Sequence, residues 1–205
     1  MKNKEYGIAL NWNYIIVSVI ITAIFTLFVL YFPGMRELDG NILHSIRLAL
    51  SPYPAYIPNF ISGFGREYYM FWPQLAVVST LLAERRFMKA FIFVLLVQVT
   101  YFVSNLFQNF VCRECPAGHG GFSFPSVHSA TTMCLYGIVV YLILHYVRND
   151  FWRNFLAIFF GLWIFLCGLS QMWLGAQFLS DVITGMFVGF IFVNLYIIIT
   201  KSLSR

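Results

Sequence analysis

The chain is expected to fold as an all-α integral membrane protein, a bundle of six transmembrane helices. Three observations carry that expectation. Of the 205 residues, 60% are hydrophobic and only 10% are charged, where a soluble domain averages about 25% charged. The apolar residues fall in runs long enough to cross about 30 Å of hydrocarbon. The runs are apolar all round, not alternating, which rejects a membrane β-barrel. In lipid the backbone must satisfy its own hydrogen bonds, so helices follow.

The first run, 14–32, ends at Pro33-Gly34. It has full spanning length and no small-residue cleavage site after it, so it reads as a span and not as a signal peptide. The second run, about 67–83, is short and needs help from its Tyr/Trp-rich start. The remaining spans are expected at about 90–111, 128–147, 155–173 and 180–200. The longest connection, 33–66, joins the first two. Ile42, Leu43, Ile46, Ala49 and Leu50 recur there at helical spacing, which predicts a short amphipathic helix over 41–50 on the outer surface. Pro52, Pro54 and Pro58 predict extended chain or turns. The connector reads either as the wall of a lateral entrance for lipid or as a packed linker. Residues 1–205 form a single membrane domain in this reading, with no internal repeat.

Basic residues set the orientation. With the N-terminus inside, nine fall in inner segments (Lys2, Lys4, Arg85, Arg86, Lys89, Arg148, Arg153, Lys201, Arg205). Four fall outside (Arg36, Arg47, Arg66, Arg113). The positive-inside rule thus places both termini in the cytoplasm. Tyr68, Tyr69, Trp72 and Trp173 then lie near outer span ends, where amphipathic rings prefer the interface. The net charge of +5 reports this topology and not a nucleic-acid partner.

Two polar spots interrupt the apolar pattern, both at outer span ends. One is the island 112–128, CRECPAGHGGFSFPSVH. The other runs from Ser170 to Asp181. Together they build one outward-facing site from the ends of the last four spans.

These two spots resemble the motifs of the type 2 phosphatidic acid phosphatases, also called lipid phosphate phosphatases. That family has six helices, an outer active site and three motifs. The first is Lys, six residues, Arg-Pro; the second is Pro-Ser-Gly-His; the third is Ser-Arg, five residues, His, three residues, Asp. The resemblance covers about residues 60–200 and is strongest over Phe122 to Ala130. Pro125, Ser126 and His128 fit the second motif, with Val127 in the Gly slot. Ser170 and Asp181 fit the third at the right spacing, with Gln171 in the Arg slot and Gln177 in the His slot. Gln108, Cys115 and Pro116 occupy the Lys, Arg and Pro slots of the first.

The resemblance implies roles. His128 would protonate the leaving oxygen, and Asp181 would orient the nucleophilic His. Gln177 stands in place of that nucleophile, and an amide nitrogen is not basic. Gln108, Cys115 and Gln171 replace the three cations that would cradle phosphate. A hydrogen bond to a charged group contributes about 1.5–3 kcal/mol, so their loss removes several kcal/mol of anion binding. The expected function is a lipid-headgroup site impaired or lost as a phosphatase, with Ser126, Ser170, Gln108, Gln171, Gln177 and Arg113 around the headgroup. A divergent lipid phosphatase or phosphotransferase is the alternative, with His119 as substitute nucleophile and Arg113 or Arg66 as the cation.

Other readings stay open beside these. Cys112, Cys115 and His119 have zinc-ligand types and a C-x-x-C spacing. The same cysteines suit a disulfide or redox pair in an oxidising compartment, or plain thiols. Cys134 and Cys167 lie within spans as packing residues. Asn105, Gln108, Asn109, Gln171 and Gln177 serve either interhelical hydrogen bonds or a neutral polar pocket for hydroxyls, amides or an amine. No cofactor is implied. The expected partners are the bilayer and a membrane lipid or lipid-linked headgroup. The compact form resembles bacterial members and implies an inner membrane, with the site on the periplasmic face.

Overall fold

The computed structural model describes residues 2–64, 67–116, 118 and 121–203, with side chains left out for 2–10 and 67–69. Among the described residues there are eight helices: α1 (Lys2–Tyr31), α2 (Gly34–Leu50), α3 (Tyr56–Gly63), α4 (Glu67–Ala83), α5 (Phe87–Val111), α6 (Val127–Tyr146), α7 (Asp150–Trp173) and α8 (Leu179–Leu203). All six expected spans appear as helices. Five are long and apolar enough to cross a membrane, and the apolar part of α4, Met70–Ala83, is shorter. The 17 residues of α4 reach about 25 Å at 1.5 Å per residue. Pro73 lies inside α4 and removes one backbone donor.

α6 is the central helix, packed by α5, α7 and α8, while α1 lies along α8. The core joins Phe93 and Leu96 of α5, Leu135 and Ile138 of α6, Ile164 of α7 and Tyr196 of α8. Hydrophobic burial alone does not hold helices together in lipid, so close packing must. Gly185 and Gly189 of α8 supply it. A Cβ on Gly185 would sit 2.4 Å from the Ser126 carbonyl oxygen, and one on Gly189 2.3 Å from that of Ala130. No side chain fits at either position.

The 33–66 connector departs from expectation in two ways. The amphipathic helix starts at Gly34, not at residue 41, because Pro33 occupies the edge of a helix, where its missing N–H is not needed. Only Phe32 and Pro33 separate α1 from α2. Nor does α2 merely lie on the surface: Asp39 and Leu43 are buried, and Leu43 packs with Met172 of α7, Val182 of α8 and Phe178 between them. The second departure is Pro58. It lies within α3, at that helix's third residue, where the N–H would have no intrahelical partner.

The bundle has two unlike ends. One gathers the C-terminal ends of α1, α5 and α7, the start of α6 and α8, and the island. The other carries the α4–α5 turn and Tyr146, where the Lys89 Nζ donates to the Tyr146 hydroxyl at 2.9 Å.

Candidate functional site

The island owes its shape to its backbone. Cys112 ends α5 in a left-handed conformation, φ 54°, and its N–H donates to Gln108 at 2.9 Å. The chain then folds back, with an antiparallel bridge between Glu114 and Phe122 and Ser123 N–H donating to the Arg113 carbonyl at 2.7 Å. Neighbouring residues in extended chain point to opposite sides. Glu114 therefore faces outward to Arg36 at 3.2 Å, both exposed, and Arg113 turns inward.

Arg113 is the centre of a buried ion cluster. Its Nη1 donates to Asp181 at 2.6 Å and to the Ser180 hydroxyl at 2.7 Å. Its Nη2 donates to Asp39 at 2.7 Å, and the guanidinium lies 4.3 Å from the centre of the Phe178 ring. The Ser180 N–H also donates to Asp39, at 3.2 Å, and the Ser180 hydroxyl donates to it as well. Side-chain exposure is 10% for Arg113, 2% for Asp39 and 0% for Asp181. With both carboxyls ionised, one cation faces two anions.

Asp181 has a second task. Its other carboxylate oxygen accepts the Phe178 N–H at 2.8 Å. This is the N-terminal capping contact of α8, with the acid in the first turn reaching back to the residue before the helix. The start of α6 is capped in the same spirit: the Ser126 hydroxyl accepts the Ser129 N–H at 3.2 Å. The Ser126 N–H in turn donates to the Asp181 carbonyl at 3.0 Å. The second and third motifs thus touch through their backbones.

Gln177 is not on the helical face of Asp181, contrary to the four-residue spacing. It sits in the turn between α7 and α8. That turn is set by Gly175 at φ 71°, with Ala176 N–H donating to Gln171 and Gly175 N–H to Met172, both at 2.9 Å. This is the crossed pair of a glycine-terminated helix. The Gln177 Oε1 is buried and accepts no hydrogen bond. Asp181 is already occupied by Arg113 and the Phe178 amide.

The other expected site residues also turn to protein partners. The Gln108 amide donates to the Pro125 carbonyl at 2.9 Å. The Gln171 amide donates to the Ser62 hydroxyl of α3 at 2.7 Å. Ser170 is buried, its hydroxyl donating to the Cys167 carbonyl at 2.7 Å. His128 lies in the first turn of α6 with its Nε2 buried. Burial, and then the charge of Asp181, push the Cys115 thiol above its ordinary range. Cys112 is an exposed free thiol donating to the Asn109 carbonyl at 3.0 Å.

Among the described residues, which include Cys112 and Cys115, no three ligating side chains are disposed to hold an ion. Thiolate is the form that binds metal or attacks a disulfide, and a raised Cys115 disfavours it. His119 and Arg66 lie outside the described residues. Asp39 and Ser180 were not foreseen in the cluster, and neither was Ser62 beside Gln171. A signal for Asp39 existed, because Asp39, Leu43 and Ile46 share one stripe of a 3.6-residue repeat. A carboxylate on an apolar stripe asks for a buried cation.

Such a bundle, with spans of membrane length and a polar site at one end, defines a helical integral membrane protein. The chain belongs to the PAP2 superfamily, whose family model matches residues 18–205. It is 35% identical over 69 residues to phosphatidylglycerophosphatase B of Bacillus subtilis (strain 168), covering 33% of this chain and 34% of that one. It is 33% identical over 70 residues to lipid A 4'-phosphatase of Bacteroides thetaiotaomicron, covering 34% and 28%. The matched stretch thus spans 34% and 28% of the two relatives. The fold is similar to the crystal structure of a transmembrane PAP2 type phosphatidylglycerolphosphate phosphatase from Bacillus subtilis. The TM-score is 0.81 at 18% identity, covering 95% of this chain and 98% of that one.

Proposed function

We infer that this PAP2 protein binds a lipid headgroup at the site end of the bundle and does not turn over phosphomonoesters through a phosphohistidine. The observation that carries the reading is Arg113, the cation that reaches Asp181. Its two terminal nitrogens are engaged by Asp39, Asp181 and Ser180. An anion approaching this cluster meets one guanidinium and two carboxylates. Oriented cations and donors are what stabilise a transferring phosphoryl group, and here the cradle positions Gln108 and Gln171 donate inward to Pro125 and Ser62. What the site offers a headgroup is the unfilled acceptor of Gln177, which suits hydroxyl, amide or amine donors.

The topology that goes with this reading places both termini in the cytoplasm and the site end on the outer face of a bacterial inner membrane. The basic residues described at the opposite end support it.

The named relatives act on lipid phosphates, so the test uses that class. Purified full-length protein in phospholipid vesicles is given phosphatidylglycerophosphate and a second lipid phosphomonoester, and inorganic phosphate is measured. No release above the lipid blank is expected. Steady turnover that His128→Ala abolishes would overturn the reading and favour the divergent phosphatase.

A further inference from the structure

The opposite end of the bundle carries a second arrangement that the headgroup site does not use. Tyr146, the last residue of α6, is held by two cations. The Arg86 guanidinium lies 4.1 Å from its ring centre, and the Lys89 Nζ donates to its hydroxyl at 2.9 Å. Glu84 pairs with Arg86 at 2.9 Å. Asp150, at the same end, pairs with Arg153 at 2.6 Å. Arg85, Arg148 and Lys201 stand at the same end, so cations exceed acids.

A groove of about 250 Å³ opens beside this cluster, between α4 and α6. Val77, Leu81, Val139 and Leu142 wall it, and Glu84 and Tyr146 stand at its cluster end. Thr80 lies along it and is exposed. Basic residues alone would report only topology. An apolar slot that ends at Tyr146 and Glu84, with Lys89 and the Glu84-paired Arg86 beside them, suits a molecule that is anionic at one end and hydrocarbon at the other. Basic pockets between transmembrane helices bind anionic headgroups on this principle.

We propose that the α4–α6 groove with Arg86 and Lys89 is a binding site for an anionic phospholipid of the leaflet at this end. The phosphate sits on Arg86 and Lys89 beside Tyr146, and an acyl chain fills the groove. This site is independent of the headgroup-site reading, from which it is separated by the length of α6.

Native mass spectrometry of the full chain in detergent tests it. Phosphatidylglycerol and phosphatidylcholine with identical chains are added at equal concentration. Phosphatidylglycerol should be retained at least tenfold better, and less well as salt is raised. The double variant Arg86→Gln, Lys89→Gln should lose that preference. Thr80→Trp, on an exposed position, should lower retention by filling the groove while the basic mouth stays intact. A phosphatidylglycerol with a photoreactive acyl chain should label peptides spanning 76–84 and 139–147. Equal retention of the two lipids, unchanged retention in both variants, or labelling confined to other helices would overturn the proposal. Displacement by inorganic phosphate at the lipid's own concentration would overturn it too, since it would reduce the site to a simple anion patch.

Discussion

The backbone N–H of Ser126 donates to the carbonyl of Asp181 across 3.0 Å. That bond ties the first turn of α6 to the first turn of α8, at the point where Gly185 lets the two helices meet.

Gly185→Ala should therefore disturb both packing and site. Its added methyl would meet the Ser126 carbonyl at 2.4 Å, a backbone atom that cannot swing away. Overpacking of this kind costs about 1–3 kcal/mol. Gly189→Ala should behave likewise against Ala130. Heat unfolding in detergent, followed by tryptophan fluorescence, should show a lower midpoint for both. An unchanged midpoint would mean that α8 shifts freely along α6.

The ion cluster makes an ordered pair of predictions. Arg113→Gln strands two buried carboxylates and should destabilise by about 3–5 kcal/mol. Asp39→Asn leaves one cation opposite one carboxylate and should cost clearly less. The same unfolding assay gives both values. Equal losses would show that the cluster is not organised around the arginine.

On the proposed reading, placing an imidazole at residue 177 should not produce turnover. In Gln177→His the new ring finds Asp181 already bonded to Arg113 and to the Phe178 amide, so nothing orients it, and residues 108 and 171 remain uncharged glutamines. Phosphate release from a lipid phosphomonoester should stay at background. Turnover by this single variant would mean that Arg113 moves aside when a substrate binds.

The two loop thiols should separate by pH. Burial and the Asp181 charge hold Cys115 above its ordinary range, so it remains protonated at neutral pH, and thiolate is the reactive form. Exposed Cys112 should take iodoacetamide first. Labelling of Cys115 should lag at neutral pH and climb only as the medium passes the usual thiol range near 8.5. Peptide mass spectrometry after timed alkylation measures both rates. Equal rates at neutral pH would contradict the raised thiol.

The helices were legible in the sequence because lipid demands long apolar runs, and that demand leaves a mark at every residue. Partners were less legible. Gln177 and Asp181 stand four apart, which on a helix means contact, but Gly175 stops α7 and places Gln177 in a turn. Arg113 was visible as a candidate cation. Its destination was not, because Asp39 lies 74 residues away, in a part of α2 that the apolar spacing, which begins at residue 41, does not reach. Pro33 and Pro58 misled for one reason: each sits where a helix has no use for an amide hydrogen.

Three of the four matching polar motif residues hold the main chain in place. Ser126 takes the Ser129 amide, Ser170 gives to the Cys167 carbonyl, and Asp181 takes the Phe178 amide. Such residues preserve a shape whether or not a reaction depends on it. Shape and chemistry are then separate inheritances, and the first can outlast the second. A chain can keep the scaffold letters of a catalytic signature as a building keeps its beams after a change of tenant.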